Sequence, residues 1–166
     1  MEPVFRKAGP DDAAAVAAVL NSVILEGEHT ALTRPFTVEE ERAFIAGLCD
    51  RSALFVAGVE GEIAGIQSIE PDAAARYTDS MRHVATVGTW MRADVRGRGI
   101  GLRLAEASFA FARAHDYGKI AIQVLADNRR ALRFYGNLGF ETVGTARRHV
   151  RLGSGFRDVC YLEKLL

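Results

Sequence analysis

The chain has 166 residues, 49% of them hydrophobic and 25% charged, the make-up of a globular domain large enough to bury one core. Lys+Arg and Asp+Glu number 21 each, and this balance argues against an electrostatic grip on nucleic acid or an anionic membrane. No apolar run reaches the roughly 18 residues of a membrane span. Met1-Glu2-Pro3 lacks the apolar core of a secretory signal, and Cys49 and Cys160 have no metal-ligand spacing. One domain over residues 1–166, in the reducing cytoplasm, is the expectation.

Val4 to Lys7 reads as a short strand closed by Gly9-Pro10. Asp11 or Asp12 is placed to cap a helix running to about Leu25, with Val16, Leu20 and Val23/Ile24 on its buried face. Glu26 to Pro35 is irregular. Thr37 and Glu40 form a capping box for a second helix, to about Asp50. The period then changes. Leu54 to Val59 and Ile63 to Glu70 are strands joined by a Glu60-Gly61 hairpin turn, and Pro71-Asp72 ends the second. Ala73 to Arg82 has no legible period. His83 to Met91 is a third strand, and its interior Gly88 marks a bulge or a close backbone approach.

Val95-Arg96-Gly97-Arg98-Gly99-Ile100-Gly101-Leu102 is a glycine-rich basic turn, followed by an amphipathic helix from near Gly99 to Asp116. Lys119 to Leu125 is a β-branched strand, so strand, helix and strand make a right-handed crossover with a parallel pair. Asn128 opens a last helix ending near Leu138-Gly139. Phe140 to Arg151, the turn Gly153-Ser154-Gly155 and Phe156 to Leu165 form a closing hairpin. The pattern is α/β, with a mixed sheet.

Three glycines in five residues bring backbone N–H groups to a helix N-terminus with no side chain in the way, which is the chemistry of an anion nest. Arg96 and Arg98 can add charge-assisted contacts to phosphate oxygens. A P-loop is excluded, because Gly101 is followed by Leu102-Arg103 instead of Lys-Ser/Thr. A dinucleotide fingerprint counted from Gly97 fails at its sixth position, Leu102.

Arg96-x-x-Gly99-x-Gly101 resembles the R/Q-x-x-G-x-G/A motif of the GCN5-related N-acetyltransferase (GNAT) superfamily. Asn128-x-x-Ala131-x-x-Phe134-Tyr135-x-x-x-Gly139-Phe140 is similar to a second element of that family, and the order of helices and strands agrees. The resemblance implies a GNAT-like fold with splayed parallel strands, acetyl-coenzyme A as co-substrate and no metal. It implies that the loop from Arg96 through Gly97, Arg98, Gly99 and Ile100 to Gly101 holds the pyrophosphate. Thr89, Trp90 and Met91 would pair by backbone with the pantetheine arm, as an added strand does. The side chains of Trp90 and Met91 are expected in the core, with Gly88 as the bulge that splays the strands. Asn128 would cap its helix and touch the cofactor, beside the room left by Ala131. Tyr135 would protonate the departing thiolate.

The general base is open. His83 to Met91 holds no glutamate, which leaves Glu70, Glu28 and His29, with Glu28 taken as the acceptor-binding residue. Neither cysteine sits beside a base and both look packed, so the amine attacks directly. The segment Glu26 to Phe36, Thr37-x-Glu39-Glu40 and Gly155-Phe156-Arg157-Asp158 resemble the branch acting on phosphinothricin-like amino acids. That implies a small-molecule amine as acceptor. A protein N-terminus, a polyamine and a non-catalytic coenzyme A-binding module are the alternatives, and a homodimer is compatible with the resemblance.

Overall fold

In chain order the structure, a computed structural model, has strands β1 (Val4–Lys7), β2 (Ala53–Val59), β3 (Glu62–Pro71), β4 (Val84–Met91), β5 (Lys119–Leu125), β6 (Glu141–Leu152) and β7 (Gly155–Leu165). The helices are α1 (Ala13–Glu26), α2 (Val38–Ala46), α3 (Ile100–Ala114) and α4 (Arg129–Asn137). Residues 2–153 and 155–166 are described; Met1 and the Ser154 of the expected closing turn lie outside them. One seven-stranded sheet runs in the order β1-β2-β3-β4-β5-β7-β6. Alternation along the strands divides the core. Leu54 and Val56 of β2 and Ile66 of β3 meet Val16, Leu20 and Ile24 of α1. Phe55, Ala57 and Ile69 face the other way, toward Leu104 and Phe109 of α3 and Tyr135 of α4. This is the mixed α/β architecture read from the sequence.

Several local expectations need correction. Asp12 sits at the N-cap of α1 without bonding its amides, because its carboxylate accepts from Gly9 N at 2.8 Å and pairs with Arg6 at 2.6 Å. Helix α2 has the Thr37–Glu40 capping box but stops at Ala46, where Gly47 caps it, well short of Asp50. Ala73–Arg76 and Asp79–Met81 are short 3₁₀ turns, each opened by an Asx- or Ser/Thr-type bond too local to give a period. Cys49 is exposed, and only Cys160 is buried. The Glu60-Gly61 turn has both residues at positive φ, 53° and 88°, as a type I′ hairpin requires.

The parallel pair is short. Val84 faces Lys119 and Ala85 faces Ile120, and beyond that β4 and β5 part. Gly88 does not cause this as a bulge, since β4 pairs with β3 in unbroken register from Pro71↔Ala85 to Gly65↔Met91. Gly88 is a close approach instead. A Cβ there would lie 2.2 Å from the Trp90 ring, two residues on and on the same face. Gly88→Ala is therefore expected to displace the indole and destabilise the fold by about 1–3 kcal/mol, read as a lower midpoint in denaturant melts.

Candidate active site

The parting of β4 and β5 opens a cleft of about 460 Å³, with the glycine-rich turn at one edge and the segment after α1 across its front. Strand alternation decides which backbone groups face it. Arg92 N donates to Ala64 O and Val84 O accepts from Asp72 N, so even-numbered residues of β4 bond to its β3 side. The amides and carbonyls of Val87, Thr89 and Met91 therefore point into the gap. Trp90, expected to offer its backbone there, has that backbone turned to β3 by the alternation. It lines the cleft with its ring and packs against the α1 core.

The turn is built as the anion-nest reading expects. Gly97 and Gly99 have φ of 80° and 78°, which L side chains rarely adopt, and Gly99 occupies the N-cap of the 15-residue α3. A Cβ on Gly99 would meet nothing within 4 Å, so its face is open to a ligand. Among the described residues the N–H groups of Gly97 to Gly101 have no backbone acceptor outside the helix, and Ile100 and Gly101 head α3 with theirs free of intrahelical bonds. Gly97, Gly99 and Gly101 line the cleft. Ile100 lies outside the lining, its side chain being 2% exposed in the core, and Arg98 is exposed outside the lining as well. The sequence reading missed Arg130, which lines the cleft 3.8 Å from where a Cβ of Gly97 would lie. Its only signal was a cation two residues after Asn128.

Arg96 has a different use from the one expected of its side chain. Its guanidinium bonds both oxygens of Glu26 at 2.5 and 2.6 Å, and its Nε donates to Met91 O at 2.9 Å. The charge meant for phosphate is already paired, which leaves Arg96 its backbone at the loop. This contact ties the end of α1 to the end of β4. Asn128 Nδ2 reaches His29 O at 3.4 Å, and Arg157 Nη2 reaches Glu28 O at 3.3 Å. Residues 26–29 thus form a strap across the cleft mouth. His29, Thr30 and Ala31 line the cleft, whereas the Glu28 side chain does not, which corrects its place as the acceptor-binding group.

Hydrogen bonding to Arg96 holds the Glu26 carboxyl below its ordinary 4.5, against a smaller opposing effect of burial. The pair's stabilisation is therefore complete above pH 4.5 and is lost as pH falls through the lowered folded value. Glu26→Gln is expected to cost about 1–2 kcal/mol at neutral pH, between the exposed and buried limits. The difference from the parent protein should vanish in acid, which melts at neutral and acid pH would check.

A chain of three polar side chains runs from behind the cleft wall into the cleft. Gln67 Nε2 donates to Thr89 Oγ1 at 2.7 Å, and Thr89 Oγ1 lies 2.9 Å from Tyr135 Oη. Tyr135 is 7% exposed, packed edge-on against Phe134 and Phe140, and burial pushes its phenol above 10 despite the opposing Thr89 bond. It is an un-ionised donor at neutral pH. Gln67 is fully buried and its Oε1 has no partner among the described residues, a cost of about 1–3 kcal/mol. Asn128 caps α4 through Oδ1 to Ala131 N at 3.1 Å while lining the cleft with Ala131. Glu70 is half-buried opposite Thr86, its carboxyl raised by burial, and lies outside the lining.

A model of the acetyltransferase (GNAT) family matches residues 22–140. Among curated proteins, an N-alpha-acetyltransferase RimI of Mycobacterium tuberculosis is 42% identical over 57 residues, which is 34% of this chain and 34% of that one. The match thus spans about a third of the relative's length. An acetyltransferase of the GNAT family from Streptococcus pneumoniae superposes with a TM-score of 0.89 at 29% identity, covering 99% of each chain. A structure from Salmonella typhimurium solved with its cofactor acetyl-CoA has a TM-score of 0.90 at 18% identity, covering 100% of this chain and 95% of that one.

Proposed function

The chain belongs to the acetyltransferase (GNAT) family and is an acyltransferase; from that premise we propose that it moves the acetyl group of acetyl-coenzyme A to the primary amine of a small, amino-acid-like molecule. The 166 residues act as one N-acetyltransferase domain. The observation that carries the donor is the pairing of an open nest at Gly97–Gly101 with three backbone positions, Val87, Thr89 and Met91, turned into the gap beyond the β4–β5 pairing along one wall of the same cleft. The nest suits a pyrophosphate, and Arg130 supplies the cation that Arg96 does not. The β4 backbone suits an extended amide-bearing arm laid down as an added strand. The Salmonella neighbour, solved with acetyl-CoA, supports the same donor.

In this reading the N–H groups of Val87 and Thr89 polarise the thioester carbonyl. The neutral amine attacks that carbon directly, and the carbon–sulfur bond breaks. Tyr135 donates its proton to the leaving sulfur. The proton shed by the nitrogen passes to solvent, from which the Tyr135 phenol is restored. Asn128 orders the start of α4 and ties it to the strap. A strap fastened at Arg96, Asn128 and Arg157 narrows the front of the cleft, which favours a small acceptor. A protein N-terminus is the second reading, favoured by the 57 residues matched to an N-alpha-acetyltransferase. Cys49, a free and exposed cysteine, suits a reducing compartment such as the cytoplasm. The test is thiol release from acetyl-coenzyme A with free amino acids, polyamines and short peptides. Fastest release with an amino acid is expected. Release with peptides alone would shift the acceptor to a protein N-terminus, and no release with any amine would overturn the proposal.

A further inference from the structure

Gln67 makes no contact with the cleft, yet it is bonded to the group that does. We propose that Gln67 is a positioning residue that sets the direction of the Tyr135 hydroxyl proton through Thr89. The inference rests on the reading of Tyr135 as the acid.

Gln67 of β3 stands directly opposite Thr89 of β4, with both side chains on the α4 side of the sheet. An amide nitrogen only donates, so Thr89 Oγ1 accepts from Gln67 at 2.7 Å. The geometry allows either oxygen to donate across the 2.9 Å to Tyr135 Oη, and in our proposal the single hydroxyl proton of Thr89, whose oxygen already accepts from Gln67, is the one donated. Tyr135 receives that bond, and its own proton is left for the cleft. The opposite amide orientation reverses every step. Oε1 would accept from Thr89, Thr89 would accept from Tyr135, and the phenol proton would point away from the leaving sulfur. It would also leave both hydrogens of the buried Nε2 unpaired, where the observed orientation leaves Oε1 and one Nε2 hydrogen without a partner among the described residues. The two arrangements differ by a second orphaned N–H against an under-satisfied carbonyl oxygen, and a buried orphaned N–H is the rarer of the two. The unpartnered oxygen is the mark of a residue held for its donor.

A merely structural Gln67 would affect melting and nothing else, so the test reads kcat against pH. It compares the parent protein with Gln67→Leu, Gln67→Met and Gln67→Glu, using acetyl-coenzyme A and the fastest amine of the acceptor panel. Gln67→Leu, with Gln67→Met as the straight-chain check should leucine fail to fold, is expected to lose about tenfold or more in kcat, with KM for acetyl-coenzyme A within about twofold. The carboxylate introduced by Gln67→Glu can only accept while ionised, so this variant should be slow at alkaline pH. Burial raises a carboxyl into the neutral range; as it protonates it donates again, and the ratio of Gln67→Glu to parent kcat should climb as pH falls. The Leu and Met ratios should stay flat. A flat ratio for Gln67→Glu, or parent-like kcat in the folded Leu or Met variant, overturns the inference. Failure of the underlying reading looks different: either the parent releases no thiol with any amine, or Tyr135→Phe turns over normally.

Discussion

Tyr135→Phe lowers kcat by about 10²–10⁴-fold while leaving the affinity for acetyl-coenzyme A within about twofold, the range lost with one positioned general acid. The ring has every reason to stay in place. It packs edge-on against Phe134 at 5.0 Å and Phe140 at 5.3 Å, contacts that phenylalanine reproduces. Among the described residues the hydroxyl is bonded to Thr89 alone, so its removal costs about 1 kcal/mol of stability. What disappears is a proton held in a buried phenol whose ionisation is pushed above 10. Initial rates of thiol release check this. Parent-like turnover would remove Tyr135 from the chemistry.

Gly99→Val is expected to weaken coenzyme A binding by about 100-fold or more while the protein stays folded. The position is chosen for its geometry. With φ at 78°, a β-branched residue is strained by about 1–3 kcal/mol, and its side chain enters the space where the anion would sit. None of the described residues lies within 4 Å of the added Cβ, so the packing of α3 is spared. Gly101 is a poorer choice, because its Cβ would stand 3.1 Å from the Phe134 ring and disturb the contact between α3 and α4. Calorimetric titration reads the affinity and a thermal melt reads the fold. Unchanged affinity would refute the anion nest.

The elements that dominate the fold were legible because they rest on local chemistry. The capping box of Thr37 and Glu40, the Glu60-Gly61 turn and the Asn128 cap each use residues within four positions of one another. The glycine turn and Tyr135 were legible as motifs. The rest depends on partners distant in sequence. Arg96 looked like a phosphate ligand because its partner, Glu26, lies 70 positions away and had no motif. Glu28 was preferred to its neighbour His29 as the acceptor-binding residue, and the course of the chain across the cleft puts His29 in the lining instead. Gly88 carried the right signal, close approach, alongside a wrong one, a bulge. Gln67 gave no signal, since an isolated glutamine in an apolar strand acquires meaning only when β3 is laid beside β4.

The central claim is that the cleft between β4 and β5 holds acetyl-coenzyme A through its pyrophosphate and its arm together. Calorimetric titration of the parent protein with acetyl-coenzyme A, free pantetheine and pyrophosphate tests this most directly. The account predicts one saturable site for acetyl-coenzyme A, bound far more tightly than either fragment, with both fragments competing for it. No saturable heat with acetyl-coenzyme A, or binding that neither fragment displaces, would contradict it.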